Sequence, residues 1–201
     1  MLAIIQAAGW PIWPLLALSI LTLALIVERA ISLRRAHVAP RQLPRQVAEM
    51  LRNGQDSPDA LLRLERNSAL GQILADVLRV RHEPPALRLA AIEDTGRDVG
   101  RQLHRYIGAL GTIAVVAPLM GLFGTVVGMI EIFGAYSPAG ADPAQLAYGI
   151  SVALYNTGFG ILIAIPATAF HRIYRSRADN LVGDLEREAS RLQRASDLAT
   201  R

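Results

Sequence analysis

The chain has 201 residues, 52% hydrophobic and 19% charged, with 21 basic residues that are all arginine, 17 acids and a formal net charge of +4. It has no cysteine, which excludes disulfides and thiolate metal sites. Its four histidines, His37, His82, His104 and His171, are not at ligand spacing, so neither a metal nor another cofactor is expected.

The charges are segregated, and residues 1–27, 106–130 and 143–170 carry none. Each run reaches the ~20 apolar residues that a membrane-spanning helix needs. The predicted fold is therefore an all-α integral membrane protein with three transmembrane helices, N-terminus out and C-terminus in, and a helical cytoplasmic region. Arginines set the orientation. They crowd after the first run (Arg29, Arg34, Arg35), before the second (Arg97, Arg101, Arg105) and after the third (Arg172, Arg175, Arg177). The connection between the second and third runs has one acid, Asp142, and no arginine. Cytoplasmic loops carry this excess of basic residues. The basic balance thus points to a membrane surface and not to nucleic acid.

In chain order, residues 1–9 form an outer N-terminus and 10–33 the first transmembrane helix. Trp10 and Trp13 suit the outer interface, where indole rings sit. Arg34, Arg35, Arg172 and Arg175 anchor the inner one. No basic residue precedes the first run, so it reads as a retained anchor and not as a signal peptide. Residues 34–105 form the cytoplasmic region. There Ser57-Pro58-Asp59 reads as an N-cap with proline at the first helical position. Leu70, Ile73, Leu74, Val77 and Leu78 follow an amphipathic stripe that Pro84-Pro85 ends. The stretch 86–105 shows no stop signal and is expected to run unbroken into the second transmembrane helix, 106–135. An outer loop, 136–147, and a third transmembrane helix, 148–170, follow. A cytoplasmic C-terminal helix, 171–201, carries the stripe Leu181, Leu185, Ala189 and Leu192.

Polar residues inside the spans are the candidates for chemistry. The second span has Thr125 and Glu131; the third has Ser151, Asn156, Thr157 and Thr168. Hydroxyls can bond back to their own helix, but an asparagine calls for another helix or a cavity. Gly121, Gly124 and Gly128 fall within about 60° on a helical wheel and form a close-packing face. Gly158 and Gly160 are assigned to packing on the third span. Glu131 has three readings: a side chain snorkelling to the outer headgroups, a pore-mouth acid, or an ion pair with a partner chain. Thr125 and Thr157 lie at comparable depth, roughly 20 Å from the outer loop at 1.5 Å per residue. No nucleophile, base and orienting group assemble within the spans, so no enzyme is expected.

"PLMGLFGTVVGMIEIF" followed by "GISVALYNTGFGILIAIPA" resembles the paired signature of the ExbB/TolQ/MotA proton-channel family, and "IVERAISLRR" is similar to ExbB-type members. The resemblance implies a homo-oligomeric ring in the bacterial inner membrane, usually of five copies. Such a ring encloses the single span of an ExbD- or TolR-like partner that supplies a proton-binding aspartate. It drives a TonB-like transducer for transport across the outer membrane. The resemblance also places Thr125 and Thr157 on the pore. The glutamate of many relatives, in "GIAEAL", is Val152 here. A TolQ-like envelope-maintenance subunit and a non-conducting scaffold are the alternative readings.

Overall fold

A computed structural model describes residues 9–134 and 143–199. Among them the regular structure is entirely helical: α1 Ile12–Ser32, α2 Arg35–Val38, α3 Leu43–Arg52, α4 Pro58–Asn67, α5 Ala69–Arg79, α6 Pro85–His104, α7 Ile107–Gly134 and α8 Pro143–Ala199. Asp142 and most of the expected outer loop lie outside the described residues. The chain divides into two compact units. One holds the chain up to Glu28 together with Tyr106–Ile173, the other Arg29–Arg105 together with the chain from Tyr174 onward.

The first unit contains α1, α7 and the first half of α8. Among the described residues three helical stretches are long and apolar enough to cross a membrane, and each takes in most of or overlaps one of the three uncharged runs. Their common core is small and tight: Leu15 of α1, Ile113 and Ala117 of α7, and Ile163, Ala164 and Ala167 of α8, edged by Leu18, Met120 and Phe159. Three of the six central residues are alanines, which lets the backbones approach closely, as helices do in lipid. The outward side chains reverse the pattern of a soluble bundle. Ile20, Leu23 and Val27 on α1, Val115 and Leu119 on α7, and Ile161, Leu162 and Ile165 on α8 are large, apolar and exposed. Pro118 and Pro166 lie inside α7 and α8 without ending them, a tolerance common in membrane helices.

The second unit is amphipathic. Ser57 caps α4 by accepting from the Ala60 N–H, with Pro58 at the first helical position. Ser68 caps α5 by accepting from the Gly71 N–H at 3.0 Å. Leu70, Ile73, Leu74, Val77 and Leu78 are all buried. So are Leu181, Leu185, Ala189 and Leu192 on α8. Polar ties join its helices. Thr95 on α6 donates to Asp76 on α5. Arg79 on α5 pairs with Glu65 on α4 at 2.8 Å. On α8, His104 reaches Asp179 at 2.8 Å and Arg35 reaches Asp184 at 3.1 Å.

One expectation is corrected. The helix over 86–105 does not run into the second span: α6 ends at His104, and α7 starts at Ile107. Between them Tyr106 takes φ 63°, a left-handed conformation that costs a bulky L-residue energy. Within the second unit the Arg29 guanidinium donates to the Arg105 carbonyl at 2.9 Å, and so satisfies a main-chain acceptor that a continuous helix would have used itself. Arg29 is 4% exposed.

Candidate functional site

The site is built on the crossing of α7 and α8 in the first unit, and glycine makes it possible. A Cβ at Gly121 would lie 2.8 Å from the Asn156 carbonyl oxygen and 3.0 Å from the Thr157 Cα. A Cβ at Gly160 would lie 2.5 Å from the Ala117 carbonyl oxygen. These separations are shorter than side-chain carbons tolerate, so the backbones meet only because hydrogen stands where a methyl would. One helical turn along, a Cβ at Gly124 would strike the Asn156 Cβ at 2.6 Å, and at Gly128 the Ala153 Cβ lies at an ordinary 3.5 Å. The glycine face of α7 is thus turned onto α8 of the same chain.

Gly158 stands apart. A Cβ there meets nothing within 4 Å, so its assignment to packing does not hold within the chain. The reason is angular: Gly160 faces α7, and two residues turn a helix by about 200°.

Polar side chains collect at this crossing. Asn156 is 1% exposed, seated against Gly124, and its amide donates to the Val152 carbonyl at 3.4 Å. The Thr157 hydroxyl crosses to α7 and donates to the Gly121 carbonyl at 3.3 Å. The Thr125 hydroxyl turns back and donates to Leu122 in its own helix at 2.6 Å. Both threonines are half-buried, and Thr157 lies opposite Gly121, one helical turn from Thr125. Val152 is buried. Glu131 lies one turn past Gly128 and is exposed, so the face it presents is not the one on which the glycines are buried. Each hydroxyl retains acceptor lone pairs beyond the bond it donates. The arrangement can hydrate or orient a carboxylate brought beside it, and it offers no nucleophile with an adjacent base.

Comparison with known proteins bears directly on this crossing. The profile of the MotA/TolQ/ExbB proton channel family matches residues 65–187, more than half of the chain, with α7 and the glycine-bearing part of α8 inside it. The chain belongs to the MotA/TolQ/ExbB proton channel family. It is 30% identical over 176 residues to "Putative biopolymer transport protein ExbB-like 3" of Synechocystis, covering 85% of this chain and 83% of the relative. It is 32% identical over 197 residues to "Biopolymer transport protein exbB1" of Vibrio cholerae, covering 90% of this chain and 82% of the relative. A stretch of 77 residues is 40% identical to "Biopolymer transport protein ExbB" of Salmonella typhimurium, covering 38% of this chain and 32% of that protein. As an ExbB-like member of a channel family, the chain is a multi-pass membrane protein with a general transport role, in a family that is not enzymatic.

Two polar residues in this fold escaped the sequence reading. Thr22 in α1 is 2% exposed and donates to the Leu18 carbonyl at 2.7 Å. Arg29 reads in the sequence only as one of the boundary arginines. The signal available was an arginine in the last turn of α1 at the seven-residue spacing of the buried Leu15 and Thr22, which a wheel of α1 displays.

Proposed function

We propose that this chain is the ring subunit of an inner-membrane proton channel that couples the proton gradient to TonB-dependent transport across the outer membrane. The observation that carries the proposal is the α7–α8 crossing. There, glycines bring two apolar helices into backbone contact and gather Asn156 and Thr157 of α8 within about a turn of Thr125 on α7. A homo-oligomer, with five copies as the expected number, encloses the single span of an ExbD- or TolR-like partner. The partner's carboxylate passes the hydroxyl layer as protons cross. A unit charge moving through 100 mV releases about 2.3 kcal/mol, which supplies the motion handed to a TonB-like transducer. Glu131 helps to gather protons near the entrance and is not the principal proton site.

The test is transport in a strain lacking the native gene, with membrane levels of each variant checked. A hydrogen bond to a charged group contributes about 1.5–3 kcal/mol. Thr125→Val and Thr157→Val should therefore lower transport by roughly ten- to a hundredfold while the ring still assembles. Glu131→Gln should slow transport without abolishing it. Normal transport by both valine variants would show that the hydroxyl layer is not the path. Restored envelope integrity without TonB-dependent uptake would favour the TolQ-like role, and assembly without any proton flux the scaffold.

A further inference from the structure

The three spanning helices of the first unit carry the same interval between their charged end and a polar or aromatic marker. Trp10, two residues before α1, stands 18 residues before Glu28, of which the helical part from Ile12 spans about 24 Å at 1.5 Å per residue. Thr125 stands 18 residues beyond Ile107, where α7 begins, about 27 Å. On α8, Tyr155 stands 17 residues before Arg172, about 26 Å. The hydrocarbon of a bilayer is about 30 Å thick.

Contacts tie the three helices together within about a turn of these markers. The Trp10 and Phe123 rings meet edge to face, with centroids 6.0 Å apart. Thr157 bonds to the Gly121 carbonyl, and Asn156 lies on Gly124. Between this level and the charged ends, the exposed side chains are apolar: Ile20 and Leu23, Val115 and Leu119, Leu162 and Ile165. Thr112 and Thr168 interrupt that band only within two turns of the charged end. At and beyond the Trp10 level polar and phenolic side chains join the apolar ones: Glu131, Tyr148, Ser151 and Tyr155 are exposed there, beside Val126, Ile130, Phe133, Ile150 and Leu154. The helix lengths agree: α1, with 21 residues, is about 31 Å long, whereas α7, with 28, is about 42 Å and overshoots the hydrocarbon.

We propose that one headgroup boundary of the bilayer crosses the first unit at the Trp10–Phe123 contact, so that the last turns of α7 and the first turns of α8 stand outside the hydrocarbon. The partner recognised there is the glycerol and headgroup layer, which favours indole and phenol rings. Glu131 lies eight residues beyond Phe123, about 12 Å past the boundary, in water. The hydroxyl layer then sits at the mouth of the channel proposed above and not at its middle. The boundary is set by the single chain. Only the cover of Val126, Ile130 and Phe133 on α7 and of Ile150 and Leu154 on α8, exposed on the outer turns and supplied by a neighbouring copy, depends on the oligomer.

Trp10 and Trp13 are the only tryptophans, so the native emission of the full chain in liposomes reports the level directly. Lipids brominated near the glycerol should quench it more than lipids brominated near the acyl ends. The chain has no cysteine, so single cysteines are unambiguous. Glu131→Cys should react with an impermeant maleimide, and Val115→Cys should not. Stronger quenching by the deep bromines, or protection of Glu131→Cys to the level of Val115→Cys, would overturn the proposal. Neither measurement reads proton flux, so a failure here is distinct from a failure of the channel reading.

Discussion

Gly158 and Gly160 are two positions apart, and their replacement should have opposite consequences. A methyl at Gly160 is driven against the Ala117 carbonyl, a main-chain atom that cannot swing away. Overpacking of this kind costs about 1–3 kcal/mol. Gly160→Ala should therefore lower the thermal transition of the purified protein in detergent clearly, whereas Gly158→Ala, entering open space, should leave it unchanged or raise it. Equal losses at the two positions would contradict the packing described. The same reasoning separates structure from function at Thr157. Its bond to Gly121 joins two membrane helices, and such bonds contribute on average about 0.6 kcal/mol. Thr157→Val should fold almost normally, so a transport defect in that variant reads on the path and not on folding.

The joint between α6 and α7 is the element whose behaviour is least intuitive. Tyr106 sits at φ 63° with no glycine to relieve it, a conformation that costs an L-residue roughly 1–2 kcal/mol. Tyr106→Gly should preserve the break, and Tyr106→Ile, β-branched, should be the less stable of the two by about that amount in the same thermal assay. Arg29→Met removes the guanidinium donor of the Arg105 carbonyl, a hydrogen bond to a charged group that contributes at most about 1.5–3 kcal/mol. Amide exchange over residues 103–107 should quicken in that variant and recover partly in Arg29→Lys. What was legible beforehand follows from range. The Ser57 cap and the Leu70 to Leu78 stripe are set by neighbours within a few positions, and the sequence displays them. The break at Arg105 and Tyr106 contains neither glycine nor proline, and the side chain that stabilises it is 76 positions away. The glycine face of α7 could likewise be read as a face, but not which glycine of α8 meets it. That choice depends on the crossing, and it separates Gly160 from Gly158. Nor could the wheel show that Thr125 bonds within its own helix while Thr157 bonds across.

At the scale of the whole molecule, the arginine distribution predicts which side each connection occupies. A cysteine at Asp142 should react with an impermeant thiol reagent added from outside the inner membrane. For the opposite side, Gln55→Cys is the better probe than its neighbour Asp56, because Asp56 is paired with Arg81 and Gln55 is exposed. Gln55→Cys should react only after permeabilisation, and the reverse pattern would invert the topology. In the proposed function the hydroxyl layer of the α7–α8 crossing lines a proton path completed by a partner's span. Its most direct test is proton flux into liposomes, measured with a trapped pH dye, for the complex purified from membranes together with its single-span partner. The wild-type complex should conduct, the chain without its partner should conduct weakly or not at all, and Thr125→Val or Thr157→Val in the intact complex should cut the flux by about tenfold or more. Full flux in both valine complexes, with Glu131→Gln silent, would make Glu131 the proton site and contradict the account.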